Sequence, residues 1–168
     1  MDRCRNVLEK LGENTTDNIG ENPRSLPIGE IPEQLKPFLS DAHYRRLDIE
    51  IEPAKATLFV PANTLLQSLA VLVKNACEAD DQNQRIHLHV RLSDGKFLAS
   101  VQDHGSGMTP DVSTRAGEPF FTTKETGKGM GLGLFLVRMF AERMRGALRV
   151  ESRPGYGSTV TLEFPANA

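Results

Sequence analysis

The sequence predicts an α+β fold, a two-layer α/β sandwich in which helices cover one face of a mixed, mostly antiparallel sheet. The predicted strands are grouped in pairs between helices, and they do not alternate singly with helices as they would in a parallel α/β sheet. Two of the pairs are hairpins with clear turn signals, "SDG" at 93–95 and "RPGYG" at 153–157. The 168 residues are enough to bury the core of one such domain.

Hydrophobic periodicity predicts the elements in order. The first half contains a helix at 3–11, a polar linker at 12–25, a short helix around 31–40, strands at 45–52 and 56–60, and a long helix at 62–80. The second half contains a hairpin that begins at 85, a loop at 104–130, a helix at 131–145 and a hairpin at 146–164. A loop of this length exceeds what a compact domain carries without cause, so we expect it to be functional or mobile.

The composition is that of a soluble globular domain. Hydrophobic residues make up 39% and charged residues 25% of the chain, the formal net charge is −2, and the scattered basic residues give no sign of a nucleic-acid partner. No run reaches the roughly 18 apolar residues of a membrane span, and the start lacks a signal-peptide core. Cys4 and Cys77 have no metal-ligand spacing, so a reduced, cytoplasmic setting is expected.

Four alternate glycines lie where the long loop meets a predicted helix. In "GEPFFTTKETGKGMGLGLFLVR", residues 117–138, glycine falls at 127, 129, 131 and 133. Glycines at a helix start offer free N–H groups and a positive dipole end to an anion. A Walker loop would need Ser or Thr after Lys128, and the Rossmann spacing of glycines is absent. The stretch therefore predicts a phosphate site of another design.

Three other segments carry polar residues in unusual places. Asn75 lies in the apolar helix "LVKNACEA" with Glu78 one turn later on the same face, and Asp103 ends the strand in "VQDHGSGM" before two glycines. The third segment is "RPGYGSTVTLEFP". Alone, these are the polar edge of an amphipathic helix, an Asx-turn and a hairpin.

Together, five motifs in this order resemble those of one family. They are "NACEA" (N box), "DHGSGM" (first glycine box), "EPFFTTK" (F box), "GKGMGLGL" (second glycine box) and the closing "GYGSTVTLEFP". Residues 24–168 resemble the ATP-binding catalytic domain of sensor histidine kinases, which has the Bergerat fold of the GHKL superfamily. The resemblance implies a dimerisation-helix tail plus linker at 1–20 and a catalytic domain at 21–168, with an ATP lid at about 109–130.

The resemblance also implies a role for each site residue. Asp103 would accept a hydrogen bond from the adenine amino group, Asn75 would bind Mg²⁺, and Lys124, with Asn75, would be catalytic. Phe120 and Phe121 would seat the lid over the triphosphate. The implied ATP-binding set is Asn75, Asp103, Gly105, Gly107, Phe120, Thr123, Lys128, Gly129, Gly131, Gly133, Leu134 and Thr159. Within it, Gly105 and Gly107 would let the backbone pass close to the base.

One position departs from the superfamily pattern. In the ATPase branches, such as the gyrase and MutL types, a glutamate four residues before the Asn activates water. Here that position is Val71, which cannot act as a general base, so transfer to an acceptor is favoured over hydrolysis. Many histidine kinases carry a second Asn there, so Val71 leaves the pairing of two Asn side chains open.

The resemblance implies a protein-histidine kinase whose acceptor histidine lies elsewhere. None of His43, His87, His89 and His104 begins a helix beside an acidic residue, as the acceptor of the family does. The γ-phosphoryl of Mg-ATP would pass to a histidine on the dimerisation domain of the same protein, and then to a response regulator. The expected location is the cytoplasmic side of an inner-membrane protein. The alternatives are a GHKL Ser/Thr kinase of the anti-sigma type and a non-catalytic nucleotide-sensing module.

Cys4 adds a narrower resemblance. "DRCRNVLEKL" with "GEPFFTTK" and "GKGMGLGLFLVR" is similar to the RegB/PrrB/ActS redox-responsive kinases, in which a cysteine near the end of the dimerisation region is the redox switch. Arg3 and Arg5 would favour the Cys4 thiolate. An ordinary cysteine on a helix stripe is an equal interpretation. Cys77 is expected to fill the core.

Overall fold

The computed structural model describes residues 21–124 and 129–166. Within them, a five-stranded sheet carries two long helices on one face, which confirms the α+β prediction. No helix in these residues is long and apolar enough to cross a membrane. The predicted helix at 3–11, together with Cys4 and Lys128, lies outside the described part of the chain.

Seven strands and five α-helices make up the described fold. The strands are β1 Arg24–Pro27, β2 Leu47–Glu52, β3 Thr57–Val60, β4 Ile86–Ser93, β5 Lys96–Gln102, β6 Ala147–Arg153 and β7 Gly157–Pro165. The α-helices are α1 Ile31–Leu35, α2 Asp41–Arg45, α3 Ala62–Ala79, α4 Pro110–Arg115 and α5 Gly133–Arg143, with 3-10 turns at Ile28–Glu30 and Lys36–Phe38.

The main sheet has the order β2-β4-β5-β7-β6. Only the β2–β4 pair is parallel, and the other three pairs are antiparallel. Along β4, Ile86, Leu88 and Val90 are buried, whereas the alternating His87 and His89 lie on the opposite, solvent-facing side. One face of the sheet is therefore available for helices and the other meets water.

The core lies between this sheet and the helices α3 and α5. Phe97 and Phe164 stack with ring centroids 4.8 Å apart, and Phe140 of α5 meets Phe164 edge-on at 5.8 Å. Cys77 on α3 is buried in the same cluster, as predicted, and burial raises the pKa of its thiol. Packing therefore fixes the orientation of α3, the helix that carries Asn75.

A buried ion pair fixes the carboxyl end of α3. Arg46 donates to the carbonyls of Cys77 and Gln84, each at 3.0 Å, and to the Asp80 carboxylate at 2.5 Å. Asp80 is fully buried and also accepts from the amides of Gln82 and Gln84. A buried charge needs such complete pairing, so the last turn of α3 is held in one position.

Several local predictions were wrong. The strands at 45–52 and 56–60 do not pair with each other, because β2 joins β4 and β3 pairs with β1, a strand that the sequence pattern had placed in the linker. The predicted helix at 31–40 is interrupted, with Pro37 at the start of a 3-10 turn. Within the predicted loop, Pro110 opens the six-residue helix α4, which is too short to show periodicity.

The amino end of α3 is capped from a distance by Glu21. Its carboxylate accepts from the amides of Asn63 and Thr64 at 2.9 Å and from the Thr64 hydroxyl at 2.8 Å. Partial burial alone raises the pKa of Glu21, but these hydrogen bonds outweigh it and the net pKa is lowered. The segment that precedes β1 is thereby attached to the same helix that carries Asn75.

We predict that Glu21→Gln lowers the free energy of unfolding by about 0.5–2 kcal/mol at neutral pH, the usual loss for a helix cap. Because the folded-state pKa of Glu21 is lowered, its contribution is present above the ordinary glutamate pKa and is lost as the pH falls through the lowered value. Urea unfolding at neutral pH and below the carboxyl range measures this. Glu30→Gln, which removes an exposed carboxylate bonded to Gln34, is the control. An equal loss at both pH values would contradict the prediction.

Candidate functional site

A cavity of about 460 Å³ lies between the end of α3, the end of β5, the segments 106–124 and 129–134, and β7. This volume is in the range of small-molecule sites. Its apolar wall comprises Leu72, Ala76, Val101, Met108, Leu132, Leu134 and Val160. Its polar and charged side chains include Asn75, Glu78, Asp103, Thr123, Lys124 and Ser158. The cavity can therefore accept a ligand that is flat and apolar at one end and charged at the other.

Asp103 is the buried acceptor at one end of the cavity. Its side chain is 4% exposed, and Oδ1 accepts from the amides of Gly105 at 2.8 Å and Ser158 at 3.3 Å. Burial raises the pKa of Asp103, and the two amide hydrogen bonds offset this only in part. Within the described residues no hydrogen bond reaches Oδ2, which leaves that oxygen as the acceptor for a ligand.

The glycines beside Asp103 permit close contacts within the protein itself. A Cβ on Gly105 would lie 2.2 Å from the carbonyl oxygen of Ala79, and one on Gly107 would lie 2.0 Å from that of Arg153. Gly107 also has φ +66° and lines the cavity, whereas Gly105 does not line it. Both glycines are thus required by close contacts within the protein, and the approach of a base stays a prediction for Gly107, the one of the two that lines the cavity.

Thr159 does not reach the cavity. It lies on the solvent side of β7, paired with Gln102 and Glu151, while its neighbours Ser158 and Val160 line the cavity. Successive strand side chains point to opposite faces, so an error of one residue reverses the side. The apolar residues Leu162 and Phe164 could have indicated the inner face from the sequence alone. Both are buried, which places the even-numbered residues of this strand on that face.

Asn75 and Glu78 line the other end of the cavity from one face of α3. Lys124 donates through Nζ to Asn75 Oδ1 at 3.3 Å and forms an ion pair with Glu78 Oε2. Sequence reasoning noted the position of Glu78 but assigned it no role. Oxygen ligands of this kind suit Mg²⁺, so the residues present fit a hard divalent cation at this end.

Val71 packs where α3 meets α5. A Cβ on Gly133 would lie 3.1 Å from Val71 Cγ1 and 3.9 Å from Asn75 Nδ2, so the two helices approach closely at the edge of the cavity. A side chain at Gly133 would displace Val71 by a few tenths of an ångström, so glycine favours this approach. A valine here contributes packing and no proton-transfer group.

A backbone hydrogen bond joins the two described parts of the chain at the lid. The Phe120 amide donates to the Gly131 carbonyl at 3.0 Å, and Gly131, with φ +66°, leaves no room for a Cβ beside the Phe121 carbonyl. Phe121 lines the cavity, with the Arg115 guanidinium 4.1 Å from its ring centroid. Phe120 instead has φ 63°, is 66% exposed and does not line the cavity, so only Phe121 of the two is placed to seat the lid over a ligand.

The cavity thus brings together most of the residues singled out from the sequence. These are Asn75, Asp103, Gly107, Thr123, Lys124, Gly129, Gly131, Gly133 and Leu134. Gly105, Phe120 and Thr159 do not line it, and Lys128 lies outside the described residues. The polar lining residues that the predicted set omits are Glu78, Ser106, Thr122 and Ser158.

The chain is similar in sequence to bacterial sensor and sporulation kinases. Sensor protein kinase FleS of Pseudomonas aeruginosa is 36% identical over 170 residues, which cover 97% of this chain and 42% of that protein. Sporulation kinase B of Bacillus subtilis is 30% identical over 169 residues, covering 99% of this chain and 39% of that protein. The chain therefore spans less than half the length of these relatives.

Solved structures agree in fold. The catalytic domain of histidine kinase ThkA superposes with a TM-score of 0.74 at 24% identity, covering 86% of this chain and 96% of that one. Full-length ShkA, in complex with AMPPNP, superposes with a TM-score of 0.73 at 25% identity, covering 88% and 32%. Residues 61–168 match the family described as histidine kinase-, DNA gyrase B-, and HSP90-like ATPase. The chain belongs to this family and is homologous to the catalytic domains of sensor histidine kinases.

Proposed function

We propose that this chain is the ATP-binding catalytic domain of a sensor histidine kinase. The observation that carries the proposal is a buried carboxylate with one free oxygen, Asp103, in a cavity whose other end holds an amide, a carboxylate and a lysine. The adenine amino group would donate to Oδ2, with the base against Leu72, Ala76 and Val160. Ser158 replaces Thr159 as the second polar group at the base.

The triphosphate would lie at the other end, under the lid. Asn75 would hold Mg²⁺, which neutralises charge on the phosphates when bound, and Lys124 would face the phosphates. Gly129, Gly131 and Gly133 line the cavity, and their backbone N–H groups are suited to phosphate oxygens. Catalysis by such a site consists mainly of positioning and charge stabilisation.

The phosphoryl acceptor would be a histidine on the dimerisation domain, with a response regulator as the next acceptor. His87 and His89 lie on the outer sheet face, away from the cavity. With Val71 packed against Gly133, the glutamate position of the ATPase branches offers no general base for water. Transfer to a partner is therefore favoured over hydrolysis. In the full protein the domain would lie on the cytoplasmic side of an inner membrane.

The redox-responsive subgroup is a narrower proposal that rests on Cys4. We predict that the Cys4 thiol reacts with iodoacetamide at a lower pH than an ordinary cysteine, because Arg3 and Arg5 favour the thiolate. Cys77 is an internal control, because its burial raises the pKa of its thiol and slows alkylation. Mass spectrometry of each peptide over a pH series measures both. An ordinary thiol pKa at Cys4 would contradict this proposal.

We predict that Asp103→Asn weakens ATP binding by roughly 5- to 150-fold, the effect of about 1–3 kcal/mol for an unmatched buried group. The Asn oxygen can keep the bonds from Gly105 and Ser158, but its NH₂ group would face the amino group of adenine. Calorimetric titration with Mg-ATP measures the loss. Asp94→Asn, at an exposed hairpin turn, is the matched control.

The same variant separates binding from folding. Because the folded-state pKa of Asp103 is raised, its carboxyl stabilises the fold fully below its unfolded pKa, and this contribution is lost as the pH rises through the folded value. Asp103→Asn should therefore unfold at neutral pH with a free energy at least equal to that of the parent. Full retention of ATP affinity would show that Asp103 does not bind the base. A large loss of stability would show that its role is structural.

We predict that the chain transfers label from [γ-³²P]ATP to a separately prepared dimerisation domain, as an acid-labile, base-stable phosphohistidine. Asp103→Asn is the matched negative control. Acid-stable label on a hydroxyl would indicate a GHKL Ser/Thr kinase. ATP binding without label on any acceptor would indicate a nucleotide-sensing module.

A further inference from the structure

We propose that Glu78 is a second protein ligand of the divalent metal. Asn75 Oδ1 and Glu78 Oε2 together form what we name the cation site, which Lys124 fills in the chain without nucleotide. The binding of a divalent metal without nucleotide is argued from geometry alone, and its extension to Mg-ATP rests on the proposed function. The chain would exchange the lysine ammonium for Mg²⁺ when the nucleotide enters.

The two oxygens of the cation site converge on one position. Asn75 and Glu78 are three residues apart on α3, so their side chains lie on the same face, and both line the cavity. The Lys124 Nζ contacts both at once, at 3.3 Å from Asn75 Oδ1 and in an ion pair with Glu78 Oε2. A positive charge therefore already lies where the amide and the carboxylate meet.

The chemistry of the site suits Mg²⁺ better than Asn75 alone would. Mg²⁺ in phosphate-binding sites is held through one or two carboxylates together with substrate phosphates, and it keeps several waters. Among Asn75, Glu78 and Lys124, only Glu78 supplies a carboxylate at this end of the cavity. A divalent ion also interacts more strongly with that carboxylate than a single ammonium does.

The contacts that hold Lys124 in the cation site are exposed and weak. The side chains of Lys124 and Glu78 are 37% and 48% exposed, and ion pairs of such exposure contribute little to stability. Lys124 belongs to the lid segment, where its amide donates to Thr122 Oγ1 at 3.2 Å and its Cδ packs beside Gly129. Once released from the cation site, its ammonium is free to meet the phosphates while Asn75 and Glu78 hold the metal.

The first test uses Mn²⁺ as the probe, without nucleotide, and follows free Mn²⁺ by electron paramagnetic resonance. In the parent chain Lys124 competes for the two oxygens. Lys124→Gln should bind Mn²⁺ about two- to fivefold more tightly, the effect of losing an exposed ion pair, and adding Glu78→Gln should abolish the gain. Glu33→Gln and Lys36→Gln remove another exposed carboxylate–lysine pair, outside the cavity, and should change nothing.

Two results would overturn the proposal. Tight Mn²⁺ binding that survives Glu78→Gln in the Lys124→Gln background would show that Glu78 is not a ligand. Unchanged Mn²⁺ affinity in Lys124→Gln would show that the lysine does not fill the site. Urea unfolding of each variant verifies that it folds, and Glu78→Asp, which keeps a carboxylate, should bind Mn²⁺ more tightly than Glu78→Gln in the same background.

The second test uses a fluorescent ATP analogue with and without Mg²⁺. Glu78→Gln should reduce the gain in affinity that Mg²⁺ gives and should not weaken metal-free binding. An unchanged Mg²⁺ gain would overturn the role of Glu78 toward the nucleotide-bound metal. If the parent chain binds no nucleotide at all, the proposed function fails, and the Mn²⁺ titrations still decide whether the cation site exists.

Discussion

The cavity depends on the contact of three backbone segments around Asp103. The carbonyl of Ala79 lies against Gly105, the Asp103 amide donates to the Ser158 carbonyl at 2.9 Å, and a Cβ on Gly157 would lie 2.1 Å from the Asp103 carbonyl. The ends of α3 and β5 and the β6–β7 turn therefore meet with no space for a side chain. Because the Arg46–Asp80 pair fixes the last turn of α3, the position of the Asp103 carboxylate follows from the scaffold and needs no ligand to form.

The two ends of the cavity differ in their physical properties. At the Asp103 end the polar groups are buried and bonded to backbone amides, an arrangement that distinguishes donors from acceptors with precision. At the Asn75 end the charged groups are half exposed and belong partly to the lid, so they can rearrange at low cost. Under the proposed function, the rigid end would recognise the base and the adaptable end would follow the phosphates, which suits an enzyme that must bind ATP and release ADP.

Sequence patterns predicted the elements that have a local, repeated hydrophobic pattern. They failed for strand pairing and for contacts between residues far apart in the chain. The alternation in β4 and the long apolar face of α3 were sufficient to predict both elements. No local pattern shows that β2 pairs with β4 across α3, or that the four residues of β1 pair with β3. The motifs located the cavity, but they assigned Thr159 to the wrong face of β7. They also could not show that Gly105 packs against Ala79, 26 positions earlier.

The face of α3 beside the cavity carries an amide and a carboxylate but no general base at Val71. Val71, Asn75 and Glu78 lie on successive turns, and the first of them packs against Gly133. A carboxylate at Val71 would be placed as in the ATPase branches, but the close contact of α3 with α5 leaves that turn apolar. The carboxylate lies instead at Glu78, where Lys124 pairs with it. A carboxylate paired with a cation is a poor base, so this face of α3 is better suited to binding charge than to proton transfer.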